Sequence, residues 1–253
     1  MTQDSNGNGK AGSIHVHEVS YSYSNLPVLY DINIHIDSGK IVSLVGPSGC
    51  GKTTLLNIIA KMRPALKGTV DVNGTVSYMF QRDVVLPWFR VERNAEIGLI
   101  FSKVPKPERK KIVLDLLRKV GLEDFATSYP HQLSGGMRRR LQMITVLATN
   151  PEIILMDEPF IALDELTKME MHDMFLQLWS GWQIKKTVIL VTHDISEAVS
   201  LSDEIYVMSR RPSTVKQVVK IDLPRPRNIK TIRQSEDYLR HYKQVYQVLS
   251  TEL

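Results

Sequence analysis

Four short apolar segments constrain the fold of this chain more than any other feature, because each one ends at glycine or polar residues. Segment 41–45 precedes the loop 46–53, segment 76–80 precedes Gln81, segment 153–156 precedes Asp157 and Glu158, and segment 187–191 precedes Thr192 and His193. Short, β-branched and nearly continuous apolar runs are typical of strands buried on both faces of a parallel sheet. Since open α/β sheets bind ligands at the carboxyl ends of their strands, the sequence predicts an α/β fold with these residues at one sheet edge.

The loop at residues 46–53 reads GPSGCGKT, the pattern of a phosphate-binding loop when it lies between a strand and a helix. Its glycines allow backbone N–H groups to surround phosphate oxygens, and the N-terminus of the following helix adds positive potential. Lys52 is expected to neutralise the β- and γ-phosphates of a nucleotide, and the Thr53 hydroxyl to bind Mg²⁺. The predicted nucleotide-binding residues here are Gly46, Pro47, Ser48, Gly49, Cys50, Gly51, Lys52, Thr53 and Thr54.

Asp157 and Glu158 form a pair of carboxylates directly after a predicted buried strand. The first carboxylate suits Mg²⁺ coordination, and the second can orient and activate an attacking water molecule. In isolation such a pair is more typical of a solvated turn. Its position at the end of an apolar strand favours the catalytic interpretation.

Ser134, Gly135 and Gly136 precede an apolar stripe at helical spacing. Ser134 is a favourable N-cap residue, and the two glycines leave N–H groups open to an anion. An ordinary capped helix explains this segment equally well when it is considered alone. Combined with the loop at 46–53, however, it resembles the ATP-binding-cassette (ABC) ATPases, and the resemblance covers nearly all of residues 14–208.

The resemblance implies a role for individual residues of the predicted site. Tyr23 lies at the position of the family's adenine-stacking aromatic residue, and Gln81 at that of the glutamine that contacts Mg²⁺ and water. The implied Mg²⁺ ligands are therefore Thr53, Gln81 and Asp157. His193 resembles the histidine that holds the γ-phosphate and the attacking water.

The resemblance also implies that two copies act together, head to tail. Ser134, Gly135 and Gly136 resemble the signature motif that contacts the γ-phosphate of ATP held by a second copy, and Asp164 resembles an interface residue. ATP is then expected to close the dimer, and hydrolysis with Glu158 polarising water to release it.

Three residues depart from the common family pattern. Arg139 stands where glutamine is usual, Thr145 where arginine is common, and Ile161 where a small residue precedes the interface loop. None of them removes a group from the chemistry, so activity is expected while packing at the dimer interface differs.

The domain organisation follows from the periodicity and the resemblance together. We expect a P-loop NTPase (RecA-like) fold at 14–210, with a mostly parallel sheet, an antiparallel β subdomain and an inserted α-helical subdomain at about 86–150. The core would comprise 14–85 and 151–210. Residues 1–13 are predicted to be a disordered leader, and 211–253 a basic C-terminal extension ending in a helix.

Composition limits the location and the partners. No apolar run reaches the ~18–20 residues that span a bilayer, residues 1–13 lack a signal-peptide pattern, and the single cysteine suits a reducing compartment. We expect a peripheral protein at the cytoplasmic face of the membrane. The net charge of +5 is concentrated beyond residue 210. This basic segment could face nucleic acid, an anionic membrane or its own fold; the family resemblance implies no nucleic-acid partner.

Residues 81–88, QRDVVLPW, resemble the ATPases of importers of the nitrate, sulfonate and taurine type, which include bicarbonate and thiamine-precursor systems. The segment LPRPR at 223–227 is also similar. This likeness implies membrane permease subunits as partners and, indirectly, a substrate-binding protein. An ATPase of an exporter or lipid-moving system with a separate permease remains the alternative. Ribosomal and chromosome-maintenance ATPases fit less well, because one cassette and no long coiled coil are predicted, and a purely regulatory ATP-binding module would be expected to lose Glu158 or His193.

Overall fold

The computed structural model of the chain describes residues 12–252. These residues form a six-stranded sheet, a three-stranded antiparallel sheet and a block of helices inserted between two strands of the larger sheet. The strands are β1 Ser13–Tyr23, β2 Leu26–Ile36, β3 Ile41–Val45, β4 Lys67–Asn73, β5 Val76–Met79, β6 Ile153–Asp157, β7 Thr187–Val191, β8 Glu204–Met208 and β9 Val215–Lys220. The helices are α1 Lys52–Ile59, α2 Val91–Phe101, α3 Lys106–Lys119, α4 Gly135–Leu147, α5 Glu165–Gly181, α6 Ile195–Leu201, α7 Ile229–Ile232 and α8 Glu236–Ser250.

The four apolar segments form neighbouring parallel strands of the larger sheet. The strand order is β5-β6-β7-β3-β8-β9, with only the edge strand β9 antiparallel. Every residue of β3, β6, β7 and β8 is buried, which explains why these strands are nearly continuous apolar runs. The predicted α/β fold with a mostly parallel sheet is therefore confirmed, and four carboxyl ends lie side by side. For segment 76–80 the prediction of burial on both faces is wrong, because β5 is an edge strand in which only Met79 is buried.

The three-stranded sheet, in the order β2-β1-β4, covers one side of the core. Its inward side chains share a hydrophobic cluster with α1 and the larger sheet; examples are Ile14, Val16, Ile34 and Leu56. This packing places the end of β1, and with it Tyr23, beside the start of α1.

Helices α2, α3 and α4 lie between β5 and β6 in the sequence and have a hydrophobic core of their own. That core includes Val91, Leu99, Leu117, Leu141 and Ile144. The described residues between β5 and β6 contain no strand. Helix α4 also packs against β5, so this block contacts the edge of the larger sheet.

The structure differs from the predicted boundaries at both ends. Residues 1–11 lie outside the described part, but Ser13, assigned to the leader, begins β1 and pairs with Asn73. The sheet also continues past residue 210, the predicted end of the core, because β9 pairs with β8. Strand β9 has only one buried residue, Val219, so its sequence lacks the apolar pattern of the central strands.

Helix α8 docks on the core and does not stand apart from it. Tyr238, Val245 and Leu249 are buried in a cluster with residues of α6, β8 and β9. The apolar face of the basic segment is therefore used for packing. No helix in residues 12–252 is both long and apolar enough to cross a membrane.

Candidate nucleotide-binding site

A cleft of about 560 Å³ opens at the carboxyl ends of β3, β5, β6 and β7. It is lined by Tyr23, Val28, Ser48, Gly49, Gly51, Lys52, Thr53, Thr54, Gln81, Glu158, Ile161, His193 and Arg211. The phosphate-loop residues, the glutamine, the glutamate and the histidine predicted from the strand ends thus meet at one place.

The turn from β3 into α1 requires glycine at position 51. Gly51 has φ of 119°, and a Cβ there would lie 2.8 Å from Val28 Cγ1 and 2.9 Å from Leu29 Cδ2. A side chain would therefore meet both backbone strain and steric overlap. The residue is followed directly by α1, whose first N–H groups face the loop and are available to an anion.

Lys52 is only 6% exposed and reaches back across the loop. Its Nζ donates hydrogen bonds to the carbonyl oxygens of Gly46, at 2.7 Å, and Pro47, at 2.9 Å. Both acceptors are neutral, so the ammonium charge remains available to phosphate oxygens. The loop and its lysine form a preorganised anion site.

Thr53 and Asp157 provide oxygen ligands suited to Mg²⁺. The Thr53 hydroxyl donates to Asp157 Oδ2 at 2.9 Å and Oδ1 at 3.1 Å. Burial raises the pKa of Asp157, the Thr53 hydrogen bond opposes that shift, and the charge of Glu158 adds to it. A divalent cation would favour the ionised carboxylate.

The site fits a cation that is shared with a nucleotide. Among residues 12–252, no group of three or more His, Cys, Asp or Glu side chains could hold a metal ion by itself. Mg²⁺ commonly needs only one or two carboxylates, since phosphate oxygens and water supply its other ligands. A hydroxyl and a carboxylate next to a phosphate loop meet that requirement.

Glu158 is held between two other predicted site residues. Gln81 Nε2 donates to its Oε2 at 3.2 Å, and His193 Nδ1 lies 3.3 Å from its Oε1. The Glu158 backbone has φ of 46°, in the left-handed region, and its N–H donates to the Val191 carbonyl at 2.9 Å. Such conformations persist only where the surroundings fix them, as the hydrogen bonds do here. The carboxylate is oriented to accept a proton from, or to align, a water molecule in the cleft.

Tyr23 is one of the residues that line the cleft, and neighbouring side chains hold its ring. The Arg63 guanidinium lies 5.1 Å from its ring centroid, and the Tyr21 ring contacts it edge-on at 5.0 Å. Its hydroxyl is 3.3 Å from Thr54 Oγ1. The ring is 39% exposed, which leaves surface on which a planar base can stack.

We expect Tyr23→Ala to raise the KM for ATP about tenfold, because stacking on an aromatic ring contributes roughly 1–3 kcal/mol per base. Steady-state ATPase kinetics measure this change. Tyr23→Phe keeps the ring and loses only the contact with Thr54, so its KM should stay close to that of the unchanged chain. Equal KM values for the alanine and phenylalanine variants would contradict the stacking role.

The serine–glycine motif lies outside this cleft. Ser134 caps α4, with its Oγ accepting a hydrogen bond from the Met137 N–H at 3.2 Å. A Cβ at Gly135 would meet nothing within 4 Å, and one at Gly136 would contact only Thr167 Cγ2, at 3.1 Å. The start of α4 is therefore an open, capped helix N-terminus separate from the loop at 46–53.

Asp164 also lies outside the cleft and caps a helix. Its Oδ1 accepts from the Thr167 N–H at 3.0 Å at the start of α5, and this hydrogen bonding lowers the pKa of the carboxyl. The exposed side chain of Asp164 thus caps α5 and is also the one predicted to lie at the dimer interface.

Gly135→Ala is expected to lower ATPase activity without lowering the free energy of unfolding. The free energy of unfolding is expected to stay unchanged or to rise by up to about 1 kcal/mol, because alanine favours helix over glycine. ATPase activity should fall about tenfold or more, because the added methyl group blocks close approach of a phosphate to the helix start. Gly181→Ala, at the end of α5, is the matched control, since a Cβ there also meets nothing within 4 Å. Equal ATPase rates for the two variants would contradict the role of the motif.

Arg211 also lines the cleft, although no sequence pattern predicts it. A Cβ at Gly49 would lie 3.4 Å from Arg211 Nη2, so the guanidinium borders the phosphate loop. The segment reaches this position because Ser213 N–H donates to the Val28 carbonyl and Tyr30 N–H donates to the Ser213 carbonyl. These are backbone contacts between distant segments, which have no local sequence signal.

Comparison with known proteins identifies relatives over most of the chain. A family model described as "ABC transporter" matches residues 29–161. An aliphatic sulfonates import ATP-binding protein of Pseudomonas syringae pv. tomato is 43% identical over 208 residues, 82% of this chain and 87% of the relative. A taurine import ATP-binding protein of Escherichia coli O157:H7 is 40% identical over 211 residues, 80% of this chain and 82% of the relative. An uncharacterized ABC transporter ATP-binding protein of Methanocaldococcus jannaschii is 39% identical over 241 residues, 92% of this chain and 88% of the relative.

A solved structure of a related ATP-binding cassette has the same fold as this chain. The dimeric structure of an ATP-binding cassette in a post-hydrolysis state, bound to ADP and Pi, superimposes with a TM-score of 0.71 at 30% identity. The match covers 83% of this chain and all of that one. That protein holds its hydrolysis products on the same fold.

Proposed function

Because this chain belongs to the ABC transporter family, as an ATP-binding subunit, we propose that it drives import of a small solute through separate membrane permease subunits. The chain is an ATPase of this family. Two relatives are named as import ATP-binding proteins, for aliphatic sulfonates and for taurine, and they support the importer assignment. The proposed solute belongs to the nitrate, sulfonate, taurine, bicarbonate or thiamine-precursor class.

The observation that carries the catalytic part of the proposal is the contact of Gln81 and His193 with the two oxygens of Glu158. We propose that Glu158 polarises the attacking water and that His193 holds the γ-phosphate and this water. Lys52 would neutralise the phosphates, and Tyr23 would stack on adenine. Mg²⁺, when bound, neutralises charge on the phosphate oxygens.

The proposed Mg²⁺ ligands are Thr53, Asp157 and Gln81. The first two are already joined by hydrogen bonds. Gln81 follows the neighbouring strand β5, and its amide is in contact with Glu158. Binding a cation would require the Thr53 hydroxyl to turn its lone pairs toward the metal.

We further propose that a second copy completes each ATP site with Ser134, Gly135 and Gly136, and that Asp164 lies at the interface between the copies. The open helix start supports this arrangement, since Ser134, Gly135 and Gly136 are not among the residues that line the cleft of their own copy. Two solved structures of one related cassette are dimeric.

The remaining proposed partners are integral membrane permease subunits and, through them, a substrate-binding protein. The chain would act as a peripheral protein on the cytoplasmic face of the membrane, without a nucleic-acid partner. The names of the two importer relatives support the permease partner.

Reconstitution of the complex tests this function. The ATPase, its co-purified permease and the binding protein would be assembled in proteoliposomes and challenged with taurine, an aliphatic sulfonate, nitrate, bicarbonate or a thiamine precursor. We expect ATP hydrolysis and solute movement only with binding protein loaded with one of these solutes, and neither with a Glu158→Gln subunit. Stimulation without any binding protein, by a lipid or by a compound moved in the opposite direction, would favour the exporter alternative.

A further inference from the structure

Arg139 is a buried arginine on α4, 8% exposed, about one turn beyond Ser134. Its guanidinium donates to the main-chain carbonyl oxygens of Glu158, at 2.6 Å, and Gln81, at 3.1 Å, and also to that of Pro159. One side chain of α4 thus contacts the backbone of both residues that meet in the catalytic cleft.

Gln142, one turn farther along α4, extends this contact. Its Nε2 donates to the Phe80 carbonyl at 2.9 Å and the Arg82 carbonyl at 3.0 Å, and its Oε1 accepts from Arg139 Nη1 at 2.7 Å. Together the two side chains occupy the carbonyl oxygens of residues 80, 81 and 82 after β5 and of 158 and 159 after β6. We call this set of hydrogen bonds the α4 clamp.

Burial of the charged Arg139 guanidinium is electrostatically unfavourable, which argues that the clamp is more than incidental packing. Burial lowers the pKa of Arg139, while the nearby carboxylates of Asp83, Glu197, Asp157 and Glu158 act in the opposite direction. A buried guanidinium is stable only when its donors are paired, and hydrogen bonds from an ionised donor are stronger than neutral ones. The number of carbonyl acceptors around Arg139 meets this requirement.

The clamp also fixes the strained backbone of Glu158. The left-handed φ of 46° is held at one side by the N–H bond to Val191 and at the other by the bond from Arg139 to the Glu158 carbonyl. Without Arg139, the Glu158 carbonyl keeps only the longer hydrogen bond from the Ile161 N–H, at 3.3 Å, so the peptide between Glu158 and Pro159 is held less firmly. The Glu158 carboxylate would then be less well aligned.

We propose that Arg139 is a positioning residue that, with Gln142, locks helix α4 to the two loops carrying Gln81 and Glu158. The inference rests on the proposed catalytic roles of those two residues. Because α4 begins at the motif proposed to contact ATP on a second copy, the clamp transmits the occupancy of that ATP to the catalytic residues of its own copy. The two ATP sites of a dimer are thereby coupled through one rigid helix.

The test compares Arg139→Met and Arg139→Lys in the full chain. Methionine replaces the aliphatic part of the arginine side chain but has no donor, so kcat for ATP should fall about 10- to 100-fold, as expected for small misplacements of catalytic groups. The KM for ATP should change less than about twofold, since the phosphate loop is untouched. Lysine retains a charged donor and should restore part of kcat. The Hill coefficient for ATP should decrease in both variants.

Arg140→Met is the matched control on the same helix. Arg140 donates to the Val120 carbonyl at 3.3 Å and pairs with Glu170 at 3.3 Å, so it contacts neither catalytic loop. Its kcat and Hill coefficient should match those of the unchanged chain. Thermal unfolding of the three variants separates a general loss of stability from a specific loss of alignment.

Two outcomes would overturn the proposal. The first is an Arg139→Met chain, folded, with kcat and Hill coefficient equal to those of Arg140→Met. If the methionine variant does not fold, amide hydrogen exchange in Arg139→Lys decides, because exchange at residues 80–84 and 158–160 should increase, and unchanged exchange contradicts the clamp. Failure of the site assignment itself is distinguishable, since it would leave Glu158→Gln active whatever the Arg139 variants do.

Discussion

Glu158→Gln is expected to lower ATP turnover about 100- to 10,000-fold, the range that a positioned general base contributes. The amide has the same shape as the carboxylate, and its oxygen can still accept a hydrogen bond from Gln81 or His193. It cannot accept a proton from water. ATP binding should therefore persist while hydrolysis stops, so the variant should accumulate with ATP bound.

Phosphate release measures the loss of hydrolysis, and gel filtration with Mg²⁺ and ATP measures the dimer that bound ATP is expected to stabilise. We expect near-zero phosphate release together with a larger dimer fraction than in the unchanged chain. Glu170→Gln, on the exposed face of α5, is the control, because Glu170 pairs only peripherally with Arg140. Retention of a substantial fraction of turnover by Glu158→Gln would contradict the catalytic assignment.

Lys52→Met is expected to weaken ATP binding about 10- to 100-fold, because hydrogen bonds from a charged donor contribute roughly 1.5–3 kcal/mol. The methionine side chain fills similar space in the buried position. The Gly46 carbonyl loses its Lys52 donor and the Pro47 carbonyl keeps only the Cys50 N–H at 3.2 Å, but a buried charge is also removed, so these changes in folding stability oppose each other. The main effect should be on the nucleotide.

Isothermal calorimetry with ATP measures the affinity, and thermal unfolding without ATP shows that the chain is folded. Lys110→Met removes an equal charge from the exposed surface of α3 and should bind ATP normally. If Lys52→Met binds ATP as well as Lys110→Met does, the loop at 46–53 is not the phosphate site.

The strand ends are predictable from the sequence because two simple properties agree there. A central parallel strand is buried on both faces, so its sequence is apolar throughout, and its end is marked by the first polar residues. Glu158 and His193 follow such strands, whereas Gln81 follows the edge strand β5, in which only Met79 is buried. The order β5-β6-β7-β3 makes the strands that carry these residues neighbours. Topology therefore brings together residues that are far apart in the sequence.

Other features have no comparable signal. The edge strand β9 pairs through its backbone and exposes most of its side chains, so the predicted end of the core falls too early. Arg139 is visible in the sequence only as a departure from the family pattern, because all its partners except Gln142 Oε1 are main-chain carbonyls, which every residue possesses. Arg211 reaches the cleft through backbone contacts of its neighbours. Side chains that bind the backbone of distant segments can be located only in the folded structure.

The separation of the α4 N-terminus from the cleft has a consequence for how the cell uses ATP. Under the proposed arrangement, a copy that has not met its partner can hold the nucleotide in its cleft but lacks the second anion site, because Ser134, Gly135 and Gly136 do not line that cleft. Newly made subunits would therefore remain nearly idle in the presence of abundant nucleotide. Dilution of the purified chain should likewise reduce the rate per molecule. ATP hydrolysis would then depend on assembly, and surplus unassembled subunits would consume little ATP.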